Sequence, residues 1–191
     1  MEVGGVVVVA ATAALGYLAY DTYWNGGLEP VKSKIDGRTY QVRSLPDKQK
    51  AADLLASIAA NLTTLMNHIE KTAGDDERTL RLVKRFHPER ISESPESDKF
   101  TSYSINKGER VVFCLRQKGT NELVDLNTMM FVAIHEIGHI VTTAVGHPPA
   151  FWDNFRWLLD IAINIGIFTD RDYKKDPQEY CGIQITDSPL H

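Results

Sequence analysis

Apolar side chains recur every three or four residues in four segments of the chain, which is typical of helices packed on a core. One stripe runs through residues 47–72 and predicts a long helix. A shorter helix through residues 80–86 stops before Pro88, because the residue preceding a proline is disfavoured in the helical region. Residues 126–145 and 148–165 predict two further helices, the last with prolines in its first turn.

Alternating polar and apolar residues predict strands between these helices. Residues 38–43 form one candidate strand, and residues 103–105 and 110–116 form a hairpin around the glycine-bearing turn at 106–108. The polar stretch at 89–101, which contains a proline and several serines, predicts a loop. The pattern therefore predicts an α+β domain that is mainly helical and has a small antiparallel sheet.

The start of the chain has a different character, because residues 3–20 are 18 consecutive positions without a charge. A helix of that length covers roughly 27 Å, close to the ~30 Å hydrocarbon core of a bilayer. Aromatic residues that suit a membrane interface follow at Tyr17, Tyr20, Tyr23 and Trp24. The segment predicts a transmembrane helix and a single-pass membrane localisation. A buried core helix and a cleaved signal peptide are the two alternatives.

Composition restricts the function classes. The formal net charge is -4 and the isoelectric point is about 5.9, so the chain lacks the basic surface that nucleic-acid binding requires. Its two cysteines, Cys114 and Cys181, are too few for a disulfide scaffold or a cysteine-based zinc site. One bridge between them is compatible with the sequence, but the spacing does not argue for it.

The candidate chemistry lies in the predicted helix at 126–145, which contains the sequence His135-Glu136-Ile137-Gly138-His139. Histidines four residues apart project from one face of a helix and can bind a single metal ion. Glu136 is placed to accept a proton from water at that metal. The preceding residues make the helix apolar nearly all round, and polar groups buried there would be costly without a strong partner. We therefore predict a Zn²⁺ cofactor.

A catalytic zinc site needs a third protein ligand. His147 is the favoured candidate, since a tight turn at Gly146 would return it toward the ligand helix. Asp160, on the following helix, is the alternative. Tyr173 and Tyr180 are candidates for donating a phenol hydrogen bond to a developing oxyanion.

These residues carry a resemblance to a known family. The HExxH sequence at 135–139, the run Gly146-His147-Pro-Pro-Ala-Phe151-Trp152 and the Leu158-Leu159 pair resemble the zinc metallopeptidases of the WLM and SprT-like zincin group. More narrowly, residues 103–159 are similar to metallopeptidases encoded by large DNA viruses. The resemblance implies zinc held by His135, His139 and His147, and a strand at Val111–Arg116 that aligns a peptide substrate as a sheet edge.

The combined interpretation divides the chain into a transmembrane anchor (1–24), a linker (25–37) and a zincin-like metallopeptidase domain (38–191). Its expected function is a membrane-anchored zinc metallopeptidase that acts on a peptide or protein substrate, with Glu136 as general base. The alternative is a structural virion or capsid-associated membrane protein of zincin-like fold and little activity, with partners in the capsid or the virion inner membrane. A zinc hydrolase of a non-peptide bond, or a metal-binding adaptor, is a third hypothesis.

Overall fold

The computed structural model describes residues 27–96 and 101–191, which contain four helices and three small sheets. The helices are α1 (Lys48–Ala73), α2 (Glu77–Arg85), α3 (Leu126–Val141) and α4 (Pro149–Asn164). The strands are β1 (Leu28–Lys32), β2 (Thr39–Arg43), β3 (Ile91–Glu93), β4 (Ser102–Ile105), β5 (Arg110–Phe113), β6 (Gln178–Tyr180) and β7 (Ile183–Ile185). The described chain is α+β, and its helices follow the predicted periodicity closely.

Helix α3 begins where the sequence predicts and ends one turn earlier than expected. Asp125 caps its start by accepting hydrogen bonds from the Thr128 amide at 3.0 Å and the Thr128 hydroxyl at 2.6 Å. At the other end Thr142 turns to an extended conformation, and its hydroxyl donates to the Gly138 carbonyl at 2.7 Å. The residues from Thr143 to His147 are therefore free to form a loop rather than a further helical turn.

Helix α3 lies at the centre of the core and packs against α1, α2, α4 and β4. Most of its side chains are buried, including Met129, Met130, Ile134 and Ile137. A helix enclosed by neighbours on most sides is apolar all round, as its sequence indicates. The polar residues that it carries toward its C-terminal end therefore lie in a largely dry and rigid setting.

The three-stranded sheet differs from the predicted hairpin. β5 pairs with β4 in antiparallel fashion, and on its other side it pairs with β3 in parallel fashion. β3 lies within residues 89–101, which were predicted to be a loop. Because β5 is the central strand, the prediction that Val111–Arg116 forms a sheet edge is wrong. In the described residues, β3 and β4 are the two edge strands of this sheet.

A buried ionic cluster holds this sheet to the start of α1. Arg116 donates from Nε to Glu93 at 2.7 Å, and its Nη1 lies 2.8 Å from Asp47. Glu93 also accepts the Arg43 amide at 2.7 Å, which ties β2 to β3. Residues 28–32, which fall in the predicted linker at 25–37, form β1 and pair with β2. The folded unit thus includes part of that linker.

The C-terminal residues form the hairpin β6–β7, which the sequence did not predict. Its two-residue turn places Cys181 at φ 51° and Gly182 at φ 81°, the left-handed region in which glycine is favoured. A disulfide joins Cys181 to Cys114, just after β5, with an S–S distance of 2.05 Å. The pairing left open by the sequence is therefore made, and it fixes the hairpin against the central sheet.

The structure corrects the predicted transmembrane helix and the single-pass membrane or virion inner-membrane localisation. Across residues 27–96 and 101–191, no helix has both the length and the apolar character needed to cross a bilayer. α1 has 26 residues but one polar face, whereas α3 is apolar but has 16 residues, roughly 24 Å. The uncharged segment at 3–20, on which the prediction rested, lies outside the described residues.

Candidate metal centre

Three histidines converge at one end of α3. His135 and His139 project from the same face of the helix, and His147 reaches them from the loop between α3 and α4. Gly146 has a φ of +78°, which reverses the chain just before His147. The Nε2 atom of His135 lies 3.2 Å from Nε2 of His139 and 3.2 Å from Nε2 of His147. The structure thus brings together the three predicted ligands.

These separations fit a shared zinc ion. Zn–N bonds of 2.0–2.1 Å in tetrahedral geometry place ligand nitrogens about 3.3 Å apart. Burial, followed by the neighbouring histidines, lowers the pKa of His135 to about 3. Burial also lowers the pKa of His139 to about 4, with smaller effects from His147 and Lys107. Three imidazoles whose nitrogens lie this close to one another are the donor set that a divalent cation would satisfy.

Phe151 of α4 packs against all three histidines. Its ring stacks on His139 with a centroid distance of 4.4 Å, and it contacts His135 and His147 edge-on at 4.9 and 4.6 Å. A Cβ atom on Gly138 would lie 3.0 Å from the Phe151 ring. The glycine between the two helical histidines allows this close approach, since a larger residue would push the ring back by a few tenths of an ångström. Phe151 in turn limits the positions that the imidazoles can adopt.

Glu136 lies beside the histidine cluster and borders the same cleft. Its side chain is buried, and burial raises its pKa to about 7. Burial accounts for this rise in pKa, and no hydrogen bond to the carboxylate contributes to it. A carboxyl group next to a metal-binding cluster, with access to a cavity, is a candidate proton acceptor.

The cleft above the cluster has a volume of about 780 Å³. Its walls come from α3, the edge strand β4, the 144–147 loop and the hairpin β6–β7. Much of its lining is apolar, from Phe131, Val132, Trp152, Phe155 and Ile183. The histidines and Glu136 are among the polar groups of the cleft, so it suits a ligand with both apolar side chains and a polar reacting group.

Of the remaining residues that the sequence suggested for the site, one lines the cleft and two do not. Tyr180 lines the cleft, and its hydroxyl forms a hydrogen bond with Ser102 Oγ of β4. Tyr173 is buried against Phe131, with ring centroids 4.6 Å apart, and its hydroxyl has no hydrogen-bond partner among the described residues. Asp160 is exposed on α4 and is not part of the histidine cluster.

Some residues of the site carried no signal in the sequence. Ser102 and Lys107 both line the cleft, from β4 and from the turn that follows it. Lys107 is an ordinary surface residue type in the predicted turn at 106–108, and Ser102 precedes the predicted hairpin. Only the packing of β4 and this turn against α3 places them at the site.

The fold is shared with a solved structure. Wss1 from Saccharomyces cerevisiae superposes with a TM-score of 0.51 at 18% sequence identity, over 65% of this chain and 86% of that one. A mutant of the same protein gives a TM-score of 0.52 with similar coverage. No protein-family model matches the chain.

The sequence is similar to proteins of large DNA viruses. It is 28% identical over 188 residues to the uncharacterised protein R325 of Acanthamoeba polyphaga mimivirus, covering 96% of this chain and 94% of that protein. Shorter matches are to protein 136R of Invertebrate iridescent virus 6 (31% over 94 residues, 48% of each chain) and protein 042R of Invertebrate iridescent virus 3 (34% over 82 residues, 43% of this chain and 50% of that protein). The chain therefore has the fold of Wss1 and a sequence related to these viral proteins.

Proposed function

We propose that the protein is a zinc-dependent metallopeptidase. The observation that carries the proposal is the convergence of three histidine Nε2 atoms at the base of an open cleft, directly beside Glu136. Three protein ligands with space for a fourth are typical of catalytic zinc sites, whereas structural zinc sites have four protein ligands. A purely structural site would also have no need of a carboxylate facing the cleft.

His135, His139 and His147 would hold the ion through their Nε2 atoms. Zinc, when bound, supplies a Lewis acid that lowers the pKa of water and polarises a substrate carbonyl. Glu136 accepts the proton of the attacking water and then donates it to the leaving amine. Phe151 restricts the orientation of the three imidazoles, because its ring contacts all of them.

A peptide substrate is favoured by the walls of the cleft. β4 is one of the two edge strands of its sheet in the described residues, and its Ser102 and Ser104 line the cavity. An extended peptide can pair with such an edge through its backbone and place its side chains in pockets. The fold that the chain shares with Wss1 is metallopeptidase-like. These features favour a peptide bond over the non-peptide substrates considered above.

Tyr180 is the better of the two tyrosine candidates for stabilising the oxyanion. It lines the cleft, whereas Tyr173 is enclosed in the core. A phenol donates one hydrogen bond, and the present partner of the Tyr180 hydroxyl is Ser102 Oγ, which also accepts the Cys114 amide at 3.1 Å.

Replacing Glu136 with glutamine tests the proposal. Glu136→Gln keeps the size of the side chain but removes its ability to accept a proton at neutral pH. Zinc content, measured by elemental analysis, should stay near that of the unmutated protein, and cleavage of an unfolded protein substrate should fall by roughly 10²- to 10⁴-fold. The exposed Glu122 offers a matched control, and Glu122→Gln should leave both measurements unchanged.

Each alternative result has a distinct meaning. Unchanged cleavage in Glu136→Gln would remove that carboxylate from the mechanism, and loss of zinc would identify it as a ligand. A zinc-loaded unmutated protein that cleaves none of a panel of unfolded proteins would support the structural alternative.

A further inference from the structure

The loop that carries His147 has few contacts of its own. Residues 143–147 are exposed, and Val145 has 90% of its surface accessible. Within the described residues, no backbone–backbone hydrogen bond involves residues 143–147. A loop of this kind has considerable conformational freedom, and fixing the backbone of each residue costs roughly 1–2 kcal/mol. Something other than the backbone must hold His147 beside the two helical histidines.

Lys107 provides that restraint from the turn between β4 and β5. Its Nζ donates to three successive carbonyl oxygens, those of Thr142 at 2.8 Å, Thr143 at 2.6 Å and Ala144 at 3.2 Å. These carbonyls follow the end of α3, where the helix dipole favours a positive charge. One ammonium group thus caps the C-terminal end of α3 and holds the first half of the loop that leads to His147.

The turn that carries Lys107 is itself fixed in place. The amides of Gly108 and Glu109 both donate to the Ile105 carbonyl, at 3.1 and 3.0 Å. Gly108 is buried so closely that a Cβ atom there would lie 2.8 Å from the Arg85 carbonyl oxygen and 3.1 Å from Ile140. The backbone of the turn therefore cannot move freely, and this restricts the position of the Lys107 ammonium group.

The backbone of Lys107 indicates that its side chain is needed. Its φ of +52° lies in the left-handed region, which costs a non-glycine residue roughly 1–2 kcal/mol. Glycine would be the locally preferred residue here. A lysine kept in a conformation that it disfavours, with all three of its amine hydrogens directed at one loop, is consistent with a role outside the turn.

We propose that Lys107 is the positioning residue of the metal centre, holding the 142–144 carbonyls so that His147 is in place before the ion binds. The inference rests on the proposed zinc site, because it assigns a residue that serves the third ligand. Lys107 belongs to the hairpin whose strand β4 borders the cleft, so the same turn connects the substrate-facing strand to the ligand loop.

A second effect of Lys107 has the opposite sign. Its positive charge lies near His139, and a nearby cation disfavours a divalent metal ion by Coulomb repulsion. If repulsion dominates, removing the charge tightens zinc binding, whereas if loop restraint dominates, removing it weakens binding. The direction of the change therefore distinguishes the two effects.

The experiment measures zinc affinity of the full chain by competition with a chromogenic chelator. Lys107→Met should weaken zinc binding by roughly 10- to 100-fold, the usual range for residues that orient metal ligands. Lys107→Arg keeps a cation with several donors and should stay within a few-fold of the unmutated protein. The exposed Lys84 gives a matched control, and Lys84→Met should not change the affinity.

Lys107→Gly separates positioning from a general effect on folding. It removes the side chain and its hydrogen bonds but relieves the strained backbone, so the metal-free protein should resist urea better than the Lys107→Met variant does, while zinc binding is weakened as in Lys107→Met. In a His147→Ala background, Lys107→Met should cause little further loss of affinity, because the residue that it positions is already gone.

The possible results are decisive. Suppose that the unmutated protein binds one equivalent of zinc, and that Lys107→Met and Lys107→Gly both bind it equally well or more tightly. This result would overturn the inference and leave the proposed function intact. Equal losses from Lys107→Met in the presence and absence of His147 would also overturn it. An unmutated protein that binds no zinc would overturn the inference and the proposed function together.

Discussion

Replacing both cysteines with serine should lower the free energy of unfolding by about 4 kcal/mol. The bridge between Cys114 and Cys181 spans 67 residues, and closing a loop of that length removes roughly this much chain entropy from the unfolded state. The native hairpin should persist, because other contacts hold it to the sheet. Gln117 donates from Nε2 to the Glu179 carbonyl at 2.7 Å and accepts the Cys181 amide at 3.1 Å.

Urea unfolding at 25 °C, analysed by linear extrapolation, provides the measurement. Three samples are needed: the oxidised protein, the same protein with a dithiol reductant, and the Cys114→Ser/Cys181→Ser variant. The last two should agree, and reductant should have no effect on the variant. The melting temperature of both should fall by roughly 8–16 °C for a domain of this size.

The reasoning would be refuted if the oxidised protein and the double variant differed by less than about 1 kcal/mol. Thiol titration of the unfolded protein without reductant provides the necessary control, because two reactive thiols would mean that the bridge does not form. Since the β6–β7 hairpin is one wall of the cleft, the double variant should also show a higher KM for an unfolded protein substrate with a smaller change in kcat.

Two further predictions concern the metal centre. His147→Ala should reduce the amount of bound zinc substantially, whereas Asp160→Asn should leave it nearly unchanged. Elemental analysis measures both, and the reverse result would mean that Asp160 and not His147 is the third ligand. Gly138→Ala places a methyl group 3.0 Å from the ring of Phe151, so we expect weaker zinc binding by chelator competition even though alanine gains about 1 kcal/mol of helix propensity. Zinc affinity equal to that of the unmutated protein would show that the ring can move without disturbing the histidines.

The helices of this protein could be predicted from the sequence because their signals are local. The apolar stripe at 47–72 nearly matches α1 (Lys48–Ala73), and α3 begins at Leu126 as the pattern predicts. His135 and His139 are placed by the helix alone, since a separation of four residues puts both side chains on one face. For the same reason the position of Glu136 next to the first histidine did not depend on the rest of the fold.

The sheet and the cleft depend on residues that are far apart in the chain. β3 has three residues within a polar stretch, and it becomes a strand because β5 lies alongside it in parallel. The Cys114–Cys181 bridge has no local signature, since two cysteines 67 residues apart become partners only when the C-terminal hairpin folds against β5. Short strands and single bridges carry too little local free energy to be recognised before their partners are known.

The sequence by itself determined the helical framework and the candidate ligands His135, His139 and His147. Only the tertiary structure decided that His147 and not Asp160 meets the other two histidines, that Tyr180 and not Tyr173 reaches the cleft, and that Phe151 and Lys107 surround the site. The physical reason is that periodicity fixes which way a side chain points from its own helix. Which groups it then meets depends on the path of the loops and on the packing of one element against another.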